Sequence, residues 1–136
     1  MALTKAYKVE TDAIAHGSLT TSSTHAIGTA PANSIVIACG ATCTEAATIG
    51  GANAVEFGTA GDADLICTGD INAAKTLNAT TVSTNTNAQY FDTATVINAK
   101  TAGSNAPTGG AFKFWMVVQP LSATRAADEV DRDYLA

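Results

Sequence analysis

The chain has 136 residues, the usual size of one domain, and a domain this long buries roughly two thirds of its unfolded surface with no need of a disulfide or metal staple. Its 46% hydrophobic fraction is filled by 28 alanines while aromatics reach 6%, so the expected core is thin, and charged residues at 14% leave solubility to Thr, Ser and Asn. A net charge of −5, with five Lys and two Arg scattered along the chain, excludes a groove built to neutralise nucleic-acid phosphates.

The chain opens with Met1-Ala2-Leu3-Thr4-Lys5-Ala6-Tyr7-Lys8, which has no apolar stretch behind a basic one, and no run of roughly eighteen apolar residues follows. Neither export nor a membrane span is expected, and the cytoplasm is the compartment read from this. Helical periodicity is nearly absent before residue 121. Short β-branched runs instead alternate with Gly, Asn, Asp and Pro at intervals of roughly ten residues, the rhythm of an antiparallel sandwich or barrel. Strands are expected over 4–13, 19–27, 34–44, 47–49, 54–57, 65–68, 80–84, 90–99 and 111–119. The fold class is therefore all-β, a sandwich domain over 1–120, followed by a charged tail over 121–136 that is irregular or helical.

Within 34–44, strand parity puts Ile35, Ile37, Cys39, Ala41 and Cys43 on the core face and marks Gly40 as a bulge or bend. Cys39 and Cys43 on one strand would be about 13 Å apart, beyond disulfide reach. An odd set of three cysteines fits a reducing compartment, and all three are read as free, small buried hydrophobes.

Two runs, 94–98 and 112–118, flank the turn-rich segment 101–110 and are expected to pair as an antiparallel hairpin closed by Pro120. In the second run Phe112, Phe114, Met116 and Val118 share the core face, which turns Lys113, Trp115, Val117 and Gln119 outward. An exposed Trp115–Val117 pair on a hydroxyl-rich sheet is unusual, and aromatics are enriched in interface cores. Trp115 and Val117 are thus interface candidates, with cover by the chain's own tail as the competing reading. Six of the nineteen formal charges fall within 125–136, where Ala126, Val130 and Tyr134 are spaced for one stripe of a short helix. Such a helix is marginal alone in water, so Val130 and Tyr134 join the interface candidates.

Chemistry is weakly represented. Asp62, Asp64 and Asp70 offer oxygen atoms, but their spacing is not that of a calcium loop and solvated carboxylates are the simpler reading. His16 and His25 lack the paired spacing of zinc ligands, and neither has a neighbouring acid and a nucleophile elbow for hydrolysis. Asn78-Ala79-Thr80 matches a glycosylation sequon that has meaning only on an exported chain. Gly50-Gly51 and Gly109-Gly110 read as turns, not phosphate loops. No enzyme activity, cofactor or metal is expected.

The order of Ala6-Tyr7-Lys8-Val9, Ser34-Ile35-Val36-Ile37, the segment from Thr48-Ile49-Gly50-Gly51 through Gly58-Thr59-Ala60-Gly61-Asp62-Ala63-Asp64, and Gly109-Gly110-Ala111-Phe112-Lys113-Phe114-Trp115 resembles the small jelly-roll decoration, or cement, proteins of tailed bacteriophage heads. The resemblance covers roughly residues 4–120. It implies a jelly-roll sandwich on the outer capsid surface, often a homotrimer, that ties together neighbouring major capsid subunits of a virion assembled in host cytoplasm. A tail, neck or fibre component shares this composition. A carbohydrate-binding module is a third class, which the dispersed aromatics disfavour.

Overall fold

A computed structural model describes residues 5–48, 53–70, 80–82, 88–103 and 105–121. The described residues form ten strands and one short 3-10 turn: β1 (Tyr7–Glu10), β2 (Ile14–Ala15), β3 (Thr24–Ala30), β4 (Ser34–Thr48), β5 (Asn53–Gly58), β6 (Cys67–Asp70), β7 (Thr80–Val82), β8 (Gln89–Phe91), β9 (Thr95–Gly103) and β10 (Gly109–Pro120). Two antiparallel sheets result. Sheet A runs β1-β10-β4-β7, with β2 also on β10 and β8 also on β4; sheet B runs β3-β9-β5-β6. Successive strands cross between sheets except at β1 to β2, β5 to β6 and β7 to β8, and this doubled Greek key is a jelly roll.

Each sheet turns one apolar face inward. The core holds Val36, Cys39, Ala41, Cys43, Phe112, Phe114, Met116 and Val118 from sheet A against Ile27, Val55, Phe57, Cys67, Ile97 and Ala99 from sheet B. Phe57 and Phe114 meet edge to face across the layers, centroids 6.2 Å apart and planes at 77°. Fully burying a side chain of this size contributes roughly 1.5–3 kcal/mol, so the few large residues carry much of the core. Ala30, Ala41 and Ala99 fill the narrow places between them. Among the described residues Ser34 and Thr101 are wholly buried, Ser34 donating its hydroxyl to the Pro31 carbonyl at 2.6 Å and Thr101 accepting from the Ser23 amide at 2.7 Å.

Several expected elements are redrawn. The 94–98 and 112–118 runs do not form a hairpin: β9 pairs with β3 and β5 in sheet B, and β10 with β1 and β4 in sheet A. Strand β9 also continues through Thr101, whose buried side chain takes it past the turn composition that suggested a loop. The 4–13 run is shortened to β1, and β2 follows just past its end, with Thr11 between them donating its amide to the Phe114 carbonyl at 2.9 Å and accepting the Phe114 amide on its hydroxyl at 3.0 Å. The 19–27 run begins as a turn: the chain passes through His16–Ser18, plugs Leu19 into the core at 1% exposure, and turns strand-like only at Thr24.

The parity of β4 is corrected by its register. Val117 pairs with Ala38 but Val118 with Val36, so Ile37 is the inserted residue of a bulge. Val36 therefore enters the core, Ile37 is 41% exposed, and Ile35 shares the outer face with its partner Gln119. Gly40 is no bulge; it pairs regularly with Trp115 and Val82. A second irregularity, between Ala111 opposite Glu45 and Phe112 opposite Cys43, leaves Thr44 as the extra residue.

Candidate functional site

The outer face of sheet A is apolar along a diagonal, and that of sheet B is polar. Alternation along β10 buries Phe112, Phe114, Met116 and Val118 completely and leaves Trp115, Val117 and Gln119 half-buried on the outside, as the sequence pattern requires. Cross-strand register then sets what surrounds them. Trp115 lies between Glu10 and Gly40, and Val117 between Lys8 and Ala38. Gly40 has no side chain to cover the indole.

Lys8 Nζ stands 5.7 Å from the Trp115 ring centroid, 3.0 Å from Glu10 Oε2, and Lys113 Nζ reaches Glu10 Oε1 at 3.6 Å. A cation over a half-buried indole such as this contributes on the order of 1 kcal/mol. The Lys8 hydrogen bond, with the charges of Lys8 and Lys113, holds the Glu10 carboxyl below its ordinary range. Lys8, Thr42, Trp115 and Val117 line an open hollow. From there the apolar surface runs over Ala38 and Ile37 to Ile35 and Tyr90, which pair directly; Tyr90 is 54% exposed and donates its hydroxyl to Asn33 Oδ1 at 2.9 Å.

Among the described residues sheet B offers no counterpart. Its outer face carries Thr24, Asn98 and Lys100 around a shallow hollow bordered by Thr59 and Ala63, with Glu56 paired directly opposite Lys100. Val96 at one end is its single large exposed apolar residue among those described.

Sequence reasoning thus placed Trp115 and Val117 on an outer face. It missed Ile35, Ile37 and Tyr90, because only the register of β4 against β10 and β8 turns the two isoleucines outward beside the tyrosine. Val130 and Tyr134 lie outside the described residues.

The candidate ligand residues are dispersed. Among the described residues no three His, Cys, Asp or Glu side chains come together as a metal site. Asp62 and Asp64 lie on one exposed loop, and the neighbouring Asp64 carboxyl raises the Asp62 carboxyl above its ordinary value. Asp70 falls at the end of β6. His25 contacts the Ser23 hydroxyl at 3.1 Å and stacks obliquely on Phe114, 6.0 Å between centroids, while His16 is exposed in the 3-10 turn. Cys39, Cys43 and Cys67 are buried, and none is in a disulfide. No helix among the described residues is long and apolar enough to cross a membrane.

No known protein family, curated protein or solved structure matches this chain.

Proposed function

We propose that the chain is a structural protein of a virion, a decoration protein that seats the outer face of sheet A against the major capsid protein lattice or against its own copies in a trimer. The observation that carries this reading is the difference between the two outer faces. One is polar throughout its centre; the other presents Trp115, Val117, Ile37, Ile35 and Tyr90 in a continuous strip, rimmed by the Lys8–Glu10–Lys113 charges. An apolar core with a charged rim is the usual anatomy of a protein interface.

The magnitudes are sufficient for one. Covering an indole and its immediate neighbour removes about 200 Å² of apolar surface, worth about 5 kcal/mol before the cost of association. The remaining strip supplies the contacts that offset that cost.

The test is stoichiometry on the particle. Purified virions carrying this chain are expected to hold it in many copies spread over the head, released as a soluble oligomer by mild chaotrope. A few copies confined to one vertex would place it in the neck or tail instead, and absence from the particle would remove the virion reading altogether.

A further inference from the structure

The two outer faces of the sandwich look away from each other, so a partner seated on sheet A leaves sheet B open. On sheet B, Thr24, Thr59, Ala60, Ala63, Asn98 and Lys100 line a hollow of about 200 Å³. The register of β9 explains it. Asn98 sits between Ala26 of β3 and Gly58 of β5, neither of which is long enough to cover its amide. Lys100, two residues on and therefore on the same face, sits between Thr24 and Glu56. Both walls are fixed. On the β3 side, the Thr101 amide donates to the Ser23 carbonyl at 2.8 Å and the Thr101 hydroxyl accepts the Ser23 amide at 2.7 Å. On the loop side, the Asp62 carbonyl accepts the Thr59 and Leu65 amides at 2.9 and 3.3 Å, and the Asp62 amide donates to the Thr59 hydroxyl at 3.2 Å. Among the described residues, no hydrogen bond or ion pair engages the Thr24 hydroxyl, the Asn98 amide or the Lys100 ammonium. Fixed walls with uncommitted polar groups spare a ligand the cost of ordering its site.

We propose that this hollow binds one sugar ring of a glycan, a function independent of the virion reading, which concerns the other sheet. Its polar groups are mixed in kind: Lys100 only donates, Glu56 beside it accepts, and Asn98 and Thr24 do both. Sugar hydroxyls are donors and acceptors at once, so neighbouring hydroxyls on one ring bridge such a set. A phosphate or carboxylate needs donors alone, and here it would meet Glu56 and the Asp62–Asp64 loop in a chain of net charge −5. Ala60 and Ala63 give the C–H surface of a ring a small apolar wall. The volume lies below the roughly 300–1,000 Å³ of drug-sized pockets, which limits the occupant to about one ring. No aromatic side chain lines the hollow, so hydrogen bonds carry the binding and a Kd of about a millimolar is expected.

The test titrates the isotope-labelled full chain, followed by amide NMR, with the methyl glycosides of glucose, galactose, mannose and N-acetylglucosamine, each separately, and with inorganic phosphate. At least one glycoside is expected to shift the amides of Thr24, Thr59, Ala63, Asn98 and Lys100. Asn98→Ala and Lys100→Met should each weaken that binding about tenfold while leaving the melting midpoint within about 2 °C. Silence toward all four glycosides, shifts centred on Trp115 and Tyr90, a response to phosphate alone, or unchanged binding in both variants would overturn the proposal. Each of these results leaves the sheet A reading to its own test on the particle.

Discussion

Trp115 and Phe114 are consecutive on β10 and point in opposite directions, Phe114 into the core at 0% exposure and Trp115 outward beneath the Lys8 ammonium 5.7 Å from its ring. Their alanine variants are therefore expected to fail in different ways. Phe114→Ala removes the ring that meets Phe57 and should cost about 3–5 kcal/mol of stability. Trp115→Ala should cost only about 1 kcal/mol in the isolated domain, yet shift the native protein from oligomer to monomer in sedimentation. If the native chain is already monomeric and stays off capsids, or if Trp115→Ala unfolds it as Phe114→Ala does, the face is not an interface.

That opposition was legible in the sequence, because strand parity puts Phe112, Phe114, Met116 and Val118 on one face and the charged Lys113 marks the other as the outer one. The strand Ser34–Thr48 was not, and for a definite reason. Its side chains are nearly all small or aliphatic, so no local contrast marks where parity slips. The slip at Ile37 is set by pairing with Val117 and Val118, some eighty residues away. The non-hairpin of β9 and β10 was hidden similarly: a turn-rich link permits either a tight return or a crossing to the other sheet, and only the partners available on β3, β4 and β5 decide between them.

Thr44, the extra residue of the second irregularity, has a hydroxyl oxygen that is buried and has no hydrogen-bond partner among the described residues. An unpaired buried hydroxyl costs roughly 1–3 kcal/mol. Thr44→Val keeps the shape and removes the group, so it should stabilise the domain by about 1 kcal/mol and raise the melting midpoint by roughly 2–4 °C. A drop in calorimetric midpoint would mean that the hydroxyl has a partner in solution.

Gly58 ends β5 where the 59–66 loop folds back on it. A Cβ placed there would lie 2.3 Å from the Asp62 carbonyl oxygen and 2.6 Å from that of Ala63, both backbone atoms that cannot step aside. Gly58→Ala should destabilise by about 2–3 kcal/mol by denaturant titration. Gly61, three residues on, has open space around it, and Gly61→Ala should be neutral to within about 0.5 kcal/mol. Equal effects at the two positions would contradict the loop geometry.

Two exposed carboxyls give opposing pH responses. Glu10 is lowered by Lys8 and Lys113, so its contribution is present above the ordinary glutamate value of about 4.3 and is lost as pH falls through its folded value. Asp62 is raised by Asp64, so its contribution is present below the ordinary aspartate value of about 3.9 and is lost as pH rises through its folded value. Melting curves from about pH 3 to about pH 7 should show Glu10→Gln flattening the gain with rising pH and Asp64→Asn removing the opposing loss. Both effects should shrink in high salt, since the groups are solvated. Identical pH profiles for all three proteins would show the pairs to be energetically silent.

Asn33 holds a left-handed backbone, φ 61°, and from that one position ties down two other segments, β8 and the end of β10: its amide donates to the Phe91 carbonyl at 2.7 Å, its side-chain oxygen accepts from Tyr90, and its side-chain nitrogen and carbonyl oxygen bind Leu121 at 2.6 and 2.8 Å. The chain beyond Leu121 thus departs from a fixed post on the same rim where Tyr90 and Ile35 end the apolar strip. A partner that grips both the strip and the Leu121 post meets two attachment points at a set spacing, so each raises the effective concentration of the other and the pair holds with the avidity of a bivalent ligand.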